Sequence, residues 1–295
     1  MQRRNLFFTT LLLVPTVYLL SLVGFPVVYN AVMSVQEVNL GDLSHFARPF
    51  VGLANYGEAI ADPTFRKVAL NTGVFVVVTV TSLARSGLAC WRRCVFHAVS
   101  LAPAICAVCC WRPGFCQAWW LAPCGSGCSL RKYGVFNYVL MSLHLIGSPV
   151  NWLSDPAIAM SALNIAHVWY GMPFSMILIA AALTGIPDEH YEAASLDGAG
   201  PIARFRYITL PAITPALIAI GCLVTISALR VFDVIFALTQ GGPVDATNVL
   251  PLLSYQASFQ DFDFARGAAI GMFAFFAVFG VALAYVGTLR REAVT

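Results

Sequence analysis

Polar side chains interrupt two long apolar runs of this sequence, and they are the first candidates for chemistry. One group lies in the run from 156 to 187, and the other lies around the end of the run from 207 to 229. A polar group in hydrocarbon is costly unless it faces a cavity or a partner, so such groups often mark a solute pathway. The pathway candidates, which mix aromatic rings with hydrogen-bonding groups, are Asn164, His167, Trp169, Tyr170, Thr225, Ser227 and Asp233.

Other interpretations of these residues stay open. Trp169 and Tyr170 are typical of the aromatic belt at a membrane interface, and His167 could be satisfied by a contact between helices. Arg230 and Asp233, three residues apart, could pair with each other on a helix. A membrane enzyme could use His167 and Asp233 as acid and base, but their spacing does not indicate that they converge in one pocket.

Cysteine could also do chemistry here, since eight of the nine cysteines lie in one stretch, at 90, 94, 106, 109, 110, 116, 124 and 128. Thiolates and imidazole suit zinc, so Cys106-x-x-Cys109 with His97 could bind a metal ion, but a second pair of matching spacing is missing and we predict no metal site. Disulfides on an oxidising side and small buried residues in a helix are two alternatives. The composition of 85–132, rich in Arg, Cys, Trp, Gly and Pro with poor helical periodicity, fits best a segment translated out of frame.

The elements that position these residues are transmembrane helices. Of the 295 residues 59% are apolar and 11% are charged, whereas an ordinary soluble domain has about 25% charged residues. So few charges could not cover a soluble protein of this size. The net charge of +3 is small and spread along the chain, which argues against a nucleic-acid partner.

Six intervals between charged residues are candidates for spans, since a spanning helix needs about 20 apolar residues. The fold class predicted is therefore an all-α polytopic membrane protein with about six transmembrane helices. The opening Met-Gln-Arg-Arg could instead begin a signal peptide, yet the run continues through Met33, beyond a typical apolar region of about 7–15 residues. The intervals run from Asn5 to Gln36, Val68 to Ala84, Cys94 to Trp111, Pro156 to Pro187, Tyr207 to Leu229 and Gly267 to Leu289.

Six spans place both termini on the same side of the membrane. Arg3 and Arg4 precede the first span, and Arg290 and Arg291 follow the last one. Basic residues close to spans favour the cytoplasmic side, so we expect both termini in the cytoplasm.

The loop between the fourth and fifth spans, residues 185–211, has strong local signals. Pro187 followed by two acids is typical of a helix start, which predicts a short helix to about Leu196. Asp197-Gly198 should end it, because glycine tolerates positive φ. A second short helix should run from Pro201 to near Tyr207, with Pro211 at the start of the next span. The alternative is an ordinary solvated connector.

The same loop carries a family resemblance. Glu192-Ala193-Ala194, then Gly198, then Ile208-x-Leu210-Pro211 reproduce the spacing of the EAA loop. The chain therefore resembles permease subunits of binding-protein-dependent ABC importers. Asp197-Gly198-Ala199 and Phe205 are similar to the carbohydrate-type branch, the maltose and glycerol-3-phosphate permeases. Further segments resemble the same branch, namely 50–56, 71–72, 134–137, 152–156, 231–233 and 238–243.

The resemblance implies the type I ABC importer transmembrane fold. It divides the chain into a first helix with its external loop (1–66), the transmembrane domain (67–289) with its coupling loop (185–211), and a cytoplasmic tail (290–295). In the family the EAA loop docks in a cleft of the ATPase subunit. The coupling residues implied are Glu192 for basic groups there, Ala193 and Ala194 for close contact, Gly198 for the turn, and Asp197, Ile208, Leu210 and Pro211.

The resemblance also implies a function and its partners. The chain would be a permease subunit in the bacterial cytoplasmic (inner) membrane that imports a saccharide, polyol or glycerophosphodiester by alternating access. Its partners would be a second homologous permease, two copies of an ATPase subunit, an extracytoplasmic solute-binding protein, received partly at the loop 238–263, and the lipid bilayer. ATP and Mg would sit on the ATPase subunits, and this chain would bind no cofactor. It has no G-x-x-x-x-G-K-[ST] phosphate loop, so we expect no enzyme activity of its own.

A secondary transporter is the main alternative. Such proteins usually show internal repeats and intramembrane ionisable groups for ion coupling. The sequence shows no obvious repeat and few such groups, so this alternative has less support.

Overall fold

The structure is a computed structural model that describes Leu13 and residues 15–38, 48–96 and 135–292. Within these residues the regular structure is helical, and the β structure is an isolated bridge between Gln36 and Phe50. Two helices contain a wider π turn, at Leu20–Gly24 and at Phe205–Thr209. In chain order the helices are α1 (Pro15–Met33), α2 (Ala54–Ala61), α3 (Pro63–Phe96), α4 (Val135–Ser142), α5 (Ala159–Thr184), α6 (Asp188–Leu196), α7 (Pro201–Leu229), α8 (Asp233–Leu238), α9 (Leu250–Phe259) and α10 (Phe264–Glu292).

Five of the described helices are long and apolar enough to cross a membrane. They are α1, the Pro63–Leu83 part of α3, α5, α7, and the Phe264–Thr288 part of α10. Each overlaps one of the predicted intervals, so the all-α polytopic class is confirmed. The predicted third span, Cys94–Trp111, lies outside the described residues beyond Phe96, and so does most of the cysteine-rich stretch.

The first of two compact units contains the residues up to Arg66 together with Leu250–Phe276. Its apolar core includes Met33 and Val38 from the N-terminal part and Ala265 and Ala268 from α10. Asp62 and Arg266 form an ion pair in this unit. The core residues thus come from segments far apart in sequence, which a local sequence pattern does not reveal.

Small residues bring α9 and α10 close together in the same unit. The Ser254 hydroxyl donates a hydrogen bond to the Gly267 carbonyl at 2.7 Å. A Cβ atom at Gly267 would lie 3.0 Å from both the Ser254 carbonyl oxygen and the Ser258 amide nitrogen. Close backbone approach through small residues is typical of helix contacts in membranes.

The second unit contains Lys67–Val249 and the residues from Ala277. Leu83 of α3, Ile179 of α5, and Ile220 and Val224 of α7 form its buried apolar cluster. The buried Thr79 hydroxyl donates to the Asn164 side-chain oxygen at 3.1 Å and so joins α3 to α5. A hydrogen bond of this kind contributes about 0.6–2 kcal/mol in a membrane.

The segment from Leu238 to Asp263 differs from its prediction as a turn and loop. Its second half forms α9, in which Leu250, Leu252, Leu253 and Ala257 are buried. Pro251 is the second residue of this helix, a position where its missing N–H costs nothing. The two glycines and the proline at 241–243 indicate the turn that the structure has there, but they carry no information about the apolar residues that follow.

Candidate functional site

Helix α6 forms as the sequence predicts. Asp188 and Glu189 lie in its first turn, where the helix dipole favours acids, and it ends at Leu196. Gly198 follows with φ +72°, a conformation that L side chains rarely adopt, and the Ala199 amide bonds back to the Ala194 carbonyl at 2.9 Å. The predicted short helix and its glycine turn are confirmed.

The surface of this loop exposes both charged and apolar side chains. Glu192, Ala193, Asp197 and Gly198 are exposed, and Ala194 is half-buried. Leu196 is 89% exposed and Ile202 is 79% exposed. Exposed large apolar side chains beside acids are typical of a surface that contacts another protein.

The predicted second short helix does not end near Tyr207. It continues through the π turn at Phe205–Thr209 into the span, so Ile208, Leu210 and Pro211 all lie within α7. In the π turn the Leu210 amide bonds to the Phe205 carbonyl, five residues earlier. Pro211 lacks an N–H, and this wider turn lets the helix pass the proline without a break.

A cavity of about 640 Å³ lies beside α5, α7 and α8. Four of the predicted pathway residues line it, namely His167, Tyr170, Ser227 and Asp233. A neighbouring cavity of about 360 Å³ is lined by His167, Tyr170 and Ser227 as well, and also by Leu83 of α3. The fourth and fifth predicted spans therefore bring these polar groups together.

Three of the predicted pathway residues do not line these cavities. Asn164 is buried and bonds to Thr79 and to the Met160 carbonyl. The Thr225 hydroxyl donates to the Gly221 carbonyl at 2.7 Å, within its own helix. Trp169 is exposed on α5. Polarity in a span alone does not distinguish a cavity-lining group from one satisfied by its own or a neighbouring helix.

His167 is a buried residue of the cavity with an unpaired ring nitrogen. It is 6% exposed, and its Nδ1 atom has no hydrogen-bond partner within the part of the chain that the structure describes. Its ring lies 5.1 Å from the ring of Phe75 and 6.5 Å from that of Tyr170, measured between centroids. A buried polar atom that lacks a partner costs free energy, so a ligand that hydrogen-bonds to it would gain affinity.

Arg230 and Asp233 do not form the ion pair that was one interpretation of their spacing. Arg230 caps the C-terminus of α7, whereas Asp233 begins α8. The break between the helices removes the spacing that would bring the two side chains together on one helix face. Both residues line the larger cavity and supply one charge of each sign.

Aromatic residues of the cavity were missed at the sequence level. Phe174 and Phe232 line it together with Leu223. Such residues look the same in sequence as lipid-facing or core residues, and only the break between α7 and α8 places Phe232 here.

Two residues of α3 hold the loop that follows α8. The Lys67 ammonium group donates to the Val244 carbonyl at 2.6 Å. The Asn71 amide donates to the carbonyl of Asp245 at 2.9 Å and to those of Ala246 and Asn248 at 3.4 Å. The Val244 side chain at the tip of this loop remains exposed.

Comparison with known proteins identifies a family. The family model of the binding-protein-dependent transport system inner membrane component matches residues 6–291. The chain is 44% identical over 163 residues to the trehalose/maltose transport system permease protein MalF of Thermococcus litoralis, an alignment that covers 55% of this chain and 54% of that relative, about half of its length. It is 30% identical over 294 residues to the sulfoquinovosyl glycerol transport system permease protein SmoG of Agrobacterium fabrum, covering 96% of this chain and 90% of that one.

A solved structure has the same fold. It is the crystal structure of a bacterial ABC transporter involved in the import of the acidic polysaccharide alginate, and one of its chains matches with a TM-score of 0.80 at 19% identity, covering 98% of this chain and 96% of that chain. The predicted fold of an ABC importer transmembrane domain is therefore confirmed.

The family match covers nearly the whole chain and does not depend on the few residues of the EAA loop. It confirms the predicted permease class and the prediction that the chain is not an enzyme, because the family consists of membrane components of transport systems. The spacing of the EAA loop and the family match over residues 6–291 agree. This chain belongs to the family of inner membrane components of binding-protein-dependent transport systems.

Proposed function

We propose that this chain is the permease subunit of an ATP-driven importer that moves a sugar or sugar-like solute into the cytoplasm. The observation that carries the proposal is α6, an exposed helix between two spans that has Glu192 on its surface and ends at the positive-φ Gly198. It supplies a contact surface outside the spans, while the chain itself lacks a phosphate loop. The energy of ATP must then reach the spans through this surface.

Saccharides, polyols and glycerophosphodiesters are the proposed solutes. MalF and SmoG carry names of sugar or sugar-glycerol transport systems, and the span cavity supports the same class. Tyr170 and Phe174 provide aromatic surfaces, and His167, Ser227 and Asp233 provide hydrogen-bonding groups. Binding pockets often combine apolar walls with a few polar groups that fix orientation. Asn164, Trp169 and Thr225 do not line the cavity, so in this proposal they would support the helices rather than contact the solute.

The surface formed by α6 and the turn that follows it would bind an ATPase subunit. Glu192 would pair with a basic group there, while Ala193 and Ala194 would permit close contact and Leu196 would enter an apolar cleft. Asp197 and Gly198 would form the turn, and Ile208, Leu210 and Pro211 would begin the path into the membrane. Two copies of the ATPase would hold ATP and Mg, and one of them would contact a second, homologous permease. Closure of the ATPases on ATP would favour one of two states of the spans.

The opposite face of the membrane would receive the solute-loaded binding protein. The loop held by Lys67 and Asn71 is a suitable contact site, because its backbone is fixed while Val244 is exposed. Both termini would lie in the cytoplasm, on the same side of the bacterial inner membrane as α6.

A variant of Glu192 tests this function. The chain is co-expressed with its neighbouring genes, which we expect to encode the second permease, the ATPase and the binding protein. ATP hydrolysis is measured with the binding protein and maltose, trehalose, lactose or sulfoquinovosyl glycerol. We expect a solute to stimulate hydrolysis, and Glu192→Ala to reduce the stimulation at least roughly tenfold, since loss of one partner of an interfacial charge pair costs about 2–5 kcal/mol.

The matched control is Glu189→Ala, an exposed acid in the first turn of the same helix. We expect this variant to retain most of the stimulation. An intact wild-type assembly that no solute stimulates would overturn the proposed import function. Equal losses in the two variants would overturn the specific role of Glu192.

A further inference from the structure

A hydrogen bond joins helix α6 directly to the first part of helix α7. The Tyr191 hydroxyl oxygen in α6 lies 3.0 Å from the Thr209 hydroxyl oxygen in α7. The Thr209 hydroxyl itself donates to the Arg204 carbonyl at 3.4 Å. Each hydroxyl has one proton and can also accept, so either residue can be the donor of the bond between the helices.

Burial protects this bond from competition with water. Thr209 is 1% exposed, and Tyr191 is half-buried although most of its helix is exposed. A hydrogen bond inside a protein is electrostatically stronger than one in water. The bond therefore contributes to a fixed angle between α6 and α7.

The peptide chain alone would fix this angle poorly. Between the two helices lies the turn at 197–200, which contains Gly198 with φ +72° and also Gly200. Glycine has the widest backbone freedom of all residues, so such a turn is an easy place to bend. The Arg204 side chain donates to the Ala199 carbonyl at 2.8 Å, and the Ala199 amide bonds to the Ala194 carbonyl of α6. Both bonds lie at the turn itself, whereas Tyr191 and Thr209 join the two helices farther from it.

Thr209 also lies where α7 departs from regular geometry. It is the last residue of the π turn at Phe205–Thr209, two residues before Pro211. Single π turns within α-helices are frequent at functional sites. A force that Tyr191 transmits thus reaches α7 at its irregular turn.

We propose that the Tyr191–Thr209 hydrogen bond makes α6 and the base of α7 one rigid lever. When an ATPase subunit displaces α6, the bond passes this displacement on to α7. Without the bond, bending of the glycine turn would absorb the displacement. Tyr191 and Thr209 are then positioning residues for coupling and contact neither the solute nor ATP. This role rests on the proposed function, since it requires an ATPase that moves α6.

The test uses Thr209→Val, which removes the hydroxyl group with little change in shape, and Tyr191→Phe, alone and combined. Tyr207→Phe is the matched control, because Tyr207 is 75% exposed in the same segment. Thr209→Ser is the rescue variant, since it keeps the hydroxyl group. All are made in the complete co-expressed assembly.

The readout follows the span without any solute. Ala237→Cys places a thiol at the cavity, and mass spectrometry measures its reaction with a maleimide before and after ATP and vanadate are added. In the parent we expect a nucleotide-dependent change in labelling. Thr209→Val and Tyr191→Phe should reduce that change about fivefold or more, a typical size for a coupling effect, while the assemblies still hydrolyse ATP.

The pattern among the variants separates the lever from a merely structural role. The double variant should be no worse than either single one, because both remove the same bond. Thr209→Ser and Tyr207→Phe should behave like the parent. An unchanged labelling response in Thr209→Val, additive losses, or a Thr209→Ser variant as poor as Thr209→Val would overturn the lever. Absence of solute-stimulated ATP hydrolysis in the parent, measured separately with the binding protein, would instead overturn the proposed function.

Discussion

Two glycines in the turn after α6 have different reasons to be glycine. Gly198 has φ +72°, whereas Gly200 caps the next helix with φ −70°. A Cβ atom would have open space at both positions. Backbone conformation therefore disfavours a side chain at Gly198. Neither conformation nor space disfavours one at Gly200.

This difference predicts unequal effects of alanine at the two positions. Gly198→Ala should destabilise the turn by about 1–2 kcal/mol, because an L residue in the left-handed region brings Cβ close to the following carbonyl oxygen. We expect a severalfold loss of solute-stimulated ATP hydrolysis, measured in the intact assembly. Gly198→Asn should lose less, since asparagine tolerates this region.

Gly200→Ala is the control and should hydrolyse ATP like the wild type. If Gly200→Ala and Gly198→Ala lose the same activity, backbone conformation is not the cause. If neither loses activity, the turn is not needed for coupling.

The role of a single residue was predictable where the backbone conformation requires a particular amino acid. The sequence Asp197-Gly198 indicated a helix end, and the structure has the positive φ there. Side-chain partners were not predictable in the same way. Asn164 bonds to Thr79, 85 positions earlier, and no local pattern indicates such a pair.

At the scale of elements, the contact between α9 and α10 depends on Gly267. Any side chain there would meet the backbone of α9 at Ser254 and Ser258. Gly280, on the same long helix α10, has no atom within 4 Å of a Cβ position. The two glycines therefore provide a matched pair.

We predict that Gly267→Ala lowers the thermal stability of the purified assembly. Overpacking of this kind costs about 1–3 kcal/mol. Gly280→Ala should leave the melting temperature unchanged or raise it slightly, because alanine favours helix by about 1 kcal/mol. Thermal unfolding followed by circular dichroism measures both, and equal shifts would contradict the close contact.

Long apolar elements were easier to predict than short ones. The spans follow from counting apolar residues between charges, and five of them overlap described helices. Helix α9 was missed because its 10 residues are too few for a span and follow strong turn signals. The predicted fifth interval ends at Leu229, where α7 ends, but helix α8 was not predicted, since its 6 residues are too few to indicate a span.

At the scale of the whole molecule, the fold and family followed from the sequence, whereas the two-unit division did not. Residues up to Arg66 group with Leu250–Phe276, which lie near the other end of the chain. Contacts of such long sequence separation depend on how spans assemble, and apolar periodicity does not encode that. The cavity was predictable only in part, because it needs two spans and a helix break to come together.

The orientation of the molecule gives a prediction. Alkaline phosphatase is active only outside the cytoplasm, so a fusion after Thr295 should be inactive, and a green fluorescent protein fusion there should fluoresce. A fusion after a truncation at Val244, in the loop held by Lys67 and Asn71, should have active phosphatase. The reversed pattern, or activity at both sites, would contradict a cytoplasmic C-terminus and an external loop.

That same loop has a consequence for how the protein can evolve. Lys67 and Asn71 hold it through the main-chain carbonyls of residues 244, 245, 246 and 248. Every amino acid has such a carbonyl, so these anchors do not depend on which side chains the loop carries. The exposed Val244 side chain can therefore change without loss of these anchors, whereas Thr247 and Asn248, whose side chains bond within the loop, are the positions where a change of sequence would cost a contact.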